Sequence, residues 1–308
     1  MRREIKIAGS LLGVIALTAC GISPPANGSF GGSVQAEKKS SKNSTVSPSS
    51  SIPTTSSTAS SSSRPIRPHD VNPFNQAVQE AMTYAAARTQ VPLQAPEVVP
   101  LNPSQTPRHH LYLTPSVTAS AQAYQVQFQL TTTPMTLNNP HSNTGVNGAM
   151  MNIYGGFGAT RYPTANQASN ALQRMLNQWG QREGSNPPGS VHSPTPVNLG
   201  HGIVGQSWTG RLPLVQWHEG QWTMRVSNDS SASNIATVKP IVAFLHTYLL
   251  PETHGWMGVV NAGDGDHTVL AWQEGRTVYE TSNYHSAIQA MEMTVAMRNY
   301  PSGAMPAM

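Results

Sequence analysis

Two segments near the C-terminus share one alternation of apolar and polar positions. Residues 214–220 have the sequence LVQWHEG, and residues 269–275, at an offset of 55 positions, have the sequence VLAWQEG. A period of two predicts strands with one buried face, and the Glu-Gly pair in each segment predicts a hairpin turn in which Gly has a positive φ. The residues expected on the buried face of the first hairpin are Val215, Trp217, Trp222, Met224 and Val226.

Each predicted hairpin is followed by apolar residues at helical spacing, which predicts a helix packed on the sheet. Pro240 is expected to kink the first of these helices or to mark its true start. The apolar stripes are Ile235, Val238, Ile241, Val242 and Leu245 in the first helix, and Tyr284, Ile288, Met291 and Val295 in the second.

A third, more degenerate unit precedes these two. Apolar residues alternate from Tyr124 to Leu130, and a second strand is predicted before Tyr162. Thr164 and Gln167 then form a capping-box pattern, which predicts the start of a helix. The recurring unit is therefore strand, strand, helix.

One such unit cannot bury both its sheet face and its helix, so neighbouring units are expected to extend a common sheet. Residues 123–302 are predicted to form an α+β domain, with an antiparallel sheet built from repeated strand–strand–helix units and with the helices on one side. Residues 303–308 are predicted to be a flexible tail.

Residues 69–122 are predicted to hold a helix and a Pro-rich connector. Asn72 is a candidate N-cap, and Pro73 suits the first helical position. Prolines recur from Pro92 to Pro115, which predicts an extended chain running over the domain surface.

The first twenty residues have the layout of an export signal. Arg2, Arg3 and Lys6 form a basic start, and an apolar run too short to span a bilayer follows. The run ends in Leu17-Thr18-Ala19-Cys20, which resembles the lipobox of bacterial lipoproteins in all four positions. An ordinary secretory signal and an uncleaved membrane helix are the alternatives.

The lipobox resemblance implies that residues 1–19 are a signal peptide recognised through Leu17, Thr18 and Ala19. It also implies that Cys20 carries lipid and becomes the new N-terminus. Cys20 is the only cysteine, so no disulfide within the chain is possible. The expected location is the outer face of the cytoplasmic membrane, and the first expected partner is the membrane itself.

Residues 20–68 show no apolar periodicity, and 16 of the 48 residues from 21 to 68 are Ser. Such a segment cannot bury enough apolar surface to offset its ordering entropy, so the sequence predicts a disordered tether behind the lipidated Cys20.

The positive charge is confined to the N-terminal part of the chain. Residues 1–68 hold eight Lys and Arg against two Glu, whereas residues 69–308 hold ten against twelve. The folded part is thus slightly acidic, which argues against nucleic-acid binding. Because it has few carboxylates to form ion pairs, its stability is expected to vary little in acid.

No coherent catalytic motif occurs, so the expected function is non-enzymatic binding of a cell-wall polymer or an envelope protein, without a cofactor. Trp208, Trp222 and Trp256 are the candidate binding aromatics, because exposed indoles stack on sugars or contact protein partners. Trp217 and Trp272 are expected in the core.

Two alternatives stay open. Met293 and Met297 are four positions apart on the last predicted helix, together with Met291. Because thioethers select Cu(I) and His can complete such a site, a copper-handling lipoprotein is one alternative. The other is a cell-wall hydrolase whose catalytic carboxylates include Glu219 or Glu274, although duplication explains their matching positions better.

Overall fold

The computed structural model describes residues 74–101, 111–142, 149–182, 193–209, 213–228, 230–261 and 265–301. The predicted signal peptide, Cys20, the tether, Asn72, Pro73 and the tail at 303–308 lie outside these residues. Within the described part of the chain, no helix is both long and apolar enough to cross a bilayer.

The described residues form four helices and twelve strands. The helices are α1 (Gln76–Ala86), α2 (Ala165–Arg182), α3 (Ser231–Leu245) and α4 (Ala287–Val295). The strands are β1 (Gln94–Pro96), β2 (Tyr112–Ser120), β3 (Ala123–Thr131), β4 (Ala149–Arg161), β5 (Thr195–Gly200), β6 (Ile203–Trp208), β7 (Leu214–Glu219), β8 (Trp222–Ser227), β9 (Gly255–Asn261), β10 (Asp266–Glu274), β11 (Thr277–Asn283) and β12 (Met297–Asn299).

Ten of the strands form one sheet in the order β2-β3-β4-β11-β10-β9-β8-β7-β6-β5, and β1 pairs with β12 separately. The predicted α+β class is confirmed. The expectation of a fully antiparallel sheet is wrong at one place, because β8 and β9 are parallel. The chain between them contains α3, and such a crossover returns the next strand in the same direction.

The helices lie on both faces of the sheet, which corrects the prediction of helices on one side. Buried residues of α1, α3 and α4 belong to the main core on what we call the inner face. Helix α2 packs on the opposite, outer face, where β9, β10 and β11 also present apolar side chains. The buried residues of this smaller cluster are Ala168, Leu172, Leu176, Trp256, Ala271 and Val278.

The two predicted hairpins are confirmed. β7 pairs with β8 and β10 pairs with β11, and Gly220 and Gly275 have φ values of 56° and 58° in the two turns. All five residues predicted on the buried face of the first hairpin are buried. Local alternation and the turn residues were sufficient to predict these hairpins, because the two strands of each hairpin are close in sequence.

The N-terminal described segment differs from its prediction. Asn75, not Asn72, caps α1, through a hydrogen bond from the backbone of Ala77 to its side chain. The connector does not simply run over the surface, because its apolar side chains belong to the same core as the large sheet. Its residues in this core are Val91, Leu93, Ala95 and Val99.

Five arginines of the described residues donate hydrogen bonds to neutral oxygens. Arg225 donates to the Gln216 amide and to the carbonyl of Leu176, at 2.9 and 3.0 Å. The guanidinium groups of four others donate to backbone carbonyls, namely Arg88, Arg161, Arg276 and Arg298. None of these hydrogen bonds is lost when carboxylates are protonated.

Burial is the largest influence on four carboxyl groups, and it raises the pKa of Glu219, Asp266, Glu280 and Glu292. A hydrogen bond with Gln125 opposes this effect at Glu280. At pH values between the ordinary pKa and the raised pKa of these carboxyl groups, the folded chain binds more protons than the unfolded chain. The free energy of unfolding therefore increases as the pH falls through that window, and it levels off below the ordinary value near ~4.

We expect the Tm to stay constant or to rise when the pH is lowered from 7 to 4.5, as measured by circular dichroism. Glu280→Gln should be more stable than the parent at pH 7 and should show a flatter profile, because the amide needs no proton. A fall of the parent Tm by more than about 5 °C, which is on the order of 1–2 kcal/mol for a domain of this size, would contradict this.

Candidate binding cleft

A row of aromatic side chains crosses one end of the inner face. The strand registers align Trp222 with Gly255, Gly255 with Trp272 and Trp272 with Tyr279. The rings of Trp222 and Trp272 are 6.4 Å apart, and those of Trp272 and Tyr279 are 5.7 Å apart. Trp222 reaches Trp272 across Gly255, where a Cβ atom would lie 2.6 Å from the Trp222 ring.

The polar ends of these aromatic residues hold two loops in place. The Trp222 indole donates to the carbonyl of Pro251 at 3.0 Å, which fixes the loop after α3. The Tyr279 hydroxyl donates to the carbonyl of Pro92 at 3.1 Å, which fixes the connector before β1. These partly buried bonds satisfy the aromatic donors and set the distance between the two loops.

A cleft of about 380 Å³ lies beside the loop after α3. Its lining combines Trp272 and Glu274 of the large sheet with the loop after α3, the β1–β12 pair and the end of α4. The residues that line this binding cleft are Gln94, Leu249, Leu250, Pro251, Glu252, Trp272, Glu274, Thr294, Val295, Met297, Arg298 and Asn299.

Glu274 is held in the cleft by two hydrogen bonds. Its Oε1 accepts from the Trp272 indole at 3.0 Å, and its Oε2 accepts from the Gln94 amide at 2.7 Å. Arg298 is also oriented, since its guanidinium donates to the carbonyls of Val295 and Met297. The cleft therefore presents a carboxylate and a guanidinium in fixed positions.

The loop after α3 adds an apolar, exposed side chain to the lining. Leu249 is 80% exposed, and it precedes Leu250 and Pro251, which also line the cleft. Tyr248 is 52% exposed, and its ring stacks on Phe244 at 4.7 Å. A cleft lined by both apolar side chains and oriented charges is suited to a ligand that has both apolar and charged groups.

No family model matches the chain, and the comparisons with curated proteins and with solved structures found no significant similarity either. The candidate site therefore depends on the geometry described above.

The predicted binding tryptophans do not form an exposed surface. Trp222 and Trp256 are each only 3% exposed, Trp222 in the aromatic row and Trp256 beneath α2. Trp208 is half-buried on β6, next to the edge strand β5. The prediction that Trp217 and Trp272 belong to the core is confirmed.

The methionine candidates lie in the core. Met293 is fully buried in α4, and Met297 is 7% exposed. Met297 is not on the helix as predicted but in β12, because α4 ends at Val295. In the described part of the chain, no three His, Cys, Asp or Glu residues lie together as a metal site.

Glu219 and Glu274 occupy equivalent places, and each accepts a hydrogen bond from the indole two residues earlier, at 3.2 and 3.0 Å. They lie on β7 and β10, which are three strand spacings apart. This corresponds to ~14 Å between backbones. The two carboxyl groups of a glycosidase are roughly 5–9.5 Å apart, so this geometry does not favour the pair as catalytic partners.

The sequence did not indicate most of the cleft. Gln94 and Arg298 face it only because β1 pairs with β12, which joins segments about two hundred positions apart. Leu249 and Glu252 lie in a loop with no motif. The one available signal was the Trp-Gln-Glu-Gly segment, which places Trp272 and Glu274 at a strand end.

Proposed function

We propose that this protein is a lipid-anchored, non-enzymatic binding protein of the cell envelope, and that the binding cleft holds an extended segment of a partner polypeptide. The observation that supports the proposal best is that the exposed Leu249 lines the same cleft as the oriented Glu274 and Arg298. The location rests on the lipobox at residues 17–20 and on the Ser-rich tether.

A polypeptide suits the cleft better than a polysaccharide. Sugar sites commonly use an exposed aromatic face for stacking, but the aromatic residue that lines this cleft, Trp272, is completely buried. A peptide side chain can instead pack on Leu249 and Val295, while its polar or basic neighbours bind Glu274 and Glu252. Copper handling through Met293 and Met297 is less well supported, because both side chains are buried.

A second proposal concerns the origin of the fold. We infer that the hairpin–helix segments β7–β8–α3 and β10–β11–α4 are copies of one strand–strand–helix unit. The equivalent bonds from Trp217 to Glu219 and from Trp272 to Glu274 support this inference, as do the matching turns at Gly220 and Gly275.

The cleft is tested with Leu249→Asp, using Val204→Asp as the matched control. Leu249 is 80% exposed and Val204 is 62% exposed. Val204 is on β6 and does not line the cleft. With a photo-crosslinking amino acid at Glu252, we expect one discrete adduct in intact cells. Leu249→Asp should reduce the amount of this adduct about 5- to 150-fold, equivalent to the ~1–3 kcal/mol of one apolar contact.

Both substitutions should leave the Tm nearly unchanged, because they are at exposed positions. Equal crosslinking in Leu249→Asp and Val204→Asp would refute the cleft as the binding site. Adducts that contain glycan instead of peptide, as identified by mass spectrometry, would refute the polypeptide assignment.

A further inference from the structure

Two histidine rings contact each other at the same end of the sheet as the hairpin turn of β7 and β8. His201 is in the turn between β5 and β6, and His246 is the C-cap of α3. Their ring centroids are 4.5 Å apart and the ring planes differ by 31°. Both residues are exposed, so a solute can reach the pair.

The imidazole nitrogens of this histidine pair are available. Among the described residues, neither ring takes part in a hydrogen bond or an ion pair. Two imidazoles bound to one metal ion at ~2.0–2.1 Å bring their ring centres to roughly 4.5–5.2 Å for ligand angles of 90–109°. The observed separation is therefore compatible with a shared ion.

The backbone holds His201 in a conformation that few residue types adopt. Its φ is 50°, and it lies between Gly200 and Gly202, which also have positive φ values. Gly and Asn are the usual residues in such a turn, and His is one of the few others that are enriched there. The turn directs a ligating residue type toward the end of α3.

The surroundings favour a cation. His246 follows the last turn of the 15-residue α3, where the helix dipole is negative. Glu219 lies near His246: burial raises the pKa of its carboxyl, whereas the Trp217 hydrogen bond and the charge of His246 lower it. Glu219 is a source of negative potential here and is not assigned as a ligand, since no three-residue metal cluster forms in the described chain.

We propose that His201 and His246 together bind one divalent transition-metal ion, with water molecules completing its coordination. Imidazole nitrogens suit borderline ions such as Zn²⁺, Ni²⁺ and Cu²⁺, and the Irving–Williams order places Cu²⁺ highest. The site is independent of the buried methionines and of the binding cleft.

The proposal is tested by titrating Zn²⁺ into the full chain in competition with a chromophoric chelator. His201→Asn preserves the turn because Asn tolerates a positive φ, and His246→Gln keeps a polar side chain at the exposed C-cap. Each should weaken the tightest Zn²⁺ site at least about tenfold, as expected for loss of one of its two protein ligands. The double variant should bind no more weakly than the weaker single variant, because one ligand alone does not form the site.

His218→Gln is the matched control, because His218 is also exposed but its ring contacts Thr223. It should bind Zn²⁺ like the parent, and all variants should have the parent Tm without metal. Glu219→Gln should weaken binding by about 1.5- to 5-fold, as for a screened charge. Parent-like titration of either histidine variant, or equal weakening in His218→Gln, would overturn the assignment.

Discussion

Replacing Gly255 with alanine is expected to destabilise the domain by about 2–4 kcal/mol, which is unusually large for one added methyl group. The new Cβ would lie 2.6 Å from Cδ2 and Cε2 of Trp222. The indole cannot move away freely, because its N–H donates to Pro251 and its ring packs against Trp272. Urea denaturation of the purified domain, followed by tryptophan fluorescence, measures the change.

The physical cause is checked by a double-mutant cycle with Trp222→Leu. Without the indole, the alanine at position 255 has space, so Gly255→Ala should cost little in that background and the coupling should exceed about 1 kcal/mol. Gly275→Asn is the control for a general effect of losing a glycine, since no atom lies within 4 Å of its Cβ position and Asn is one of the few residues that tolerate its φ of 58°. Additive free energies in the cycle would show that the contact with Trp222 is not responsible.

Substitution of Cys20 is expected to have the largest effect on location. Two acyl chains give stable membrane attachment at ~0.8 kcal/mol per buried methylene, and the chain has no second cysteine that could accept them. Cys20→Ala should therefore abolish incorporation of labelled palmitate and detergent-dependent extraction from membranes. Mass spectrometry of the N-terminal peptide reports cleavage and acylation directly.

A displaced cysteine provides the matched control. Ser23→Cys in the Cys20→Ala chain restores the thiol three positions later but not the Leu-Thr-Ala-Cys order. Labelling should remain absent, because the lipobox requires the cysteine directly after Ala19. Recovery of the parent N-terminal peptide without acyl groups, or of the parent protein in the culture medium, would disprove lipid anchoring.

Features that depend on neighbours in sequence were predictable. The hairpin turns at Gly220 and Gly275 follow from alternating side chains around Glu-Gly. The predicted helix start at Thr164 is also confirmed, by a hydrogen bond from the Gln167 backbone to the Thr164 hydroxyl at 3.2 Å. In these cases the residues that predict the element and the residues that they contact lie in one short segment.

Features that depend on distant segments were not predictable from periodicity. The outward-facing Trp256 appeared suited to binding, but α2 covers it, and nothing local to Trp256 indicates which helix lies above it. Likewise Arg298 reaches the cleft through the pairing of β1 with β12, two strands of three residues each. Strands this short are specified by tertiary contacts more than by their own sequence.

The pairing of β4 with β11 has a consequence for biogenesis. It joins residues 155–161 to residues 277–283, so the centre of the sheet cannot close until nearly the whole chain is present. Such non-local pairing delays folding, because a long loop must be ordered before its contacts form. A chain that emerges from a translocation channel N-terminus first would thus not complete its sheet until its last hairpin had passed through. If residues 1–20 direct export as predicted, this order of events would keep the polypeptide extended during passage and confine assembly of the sheet to the far side of the membrane.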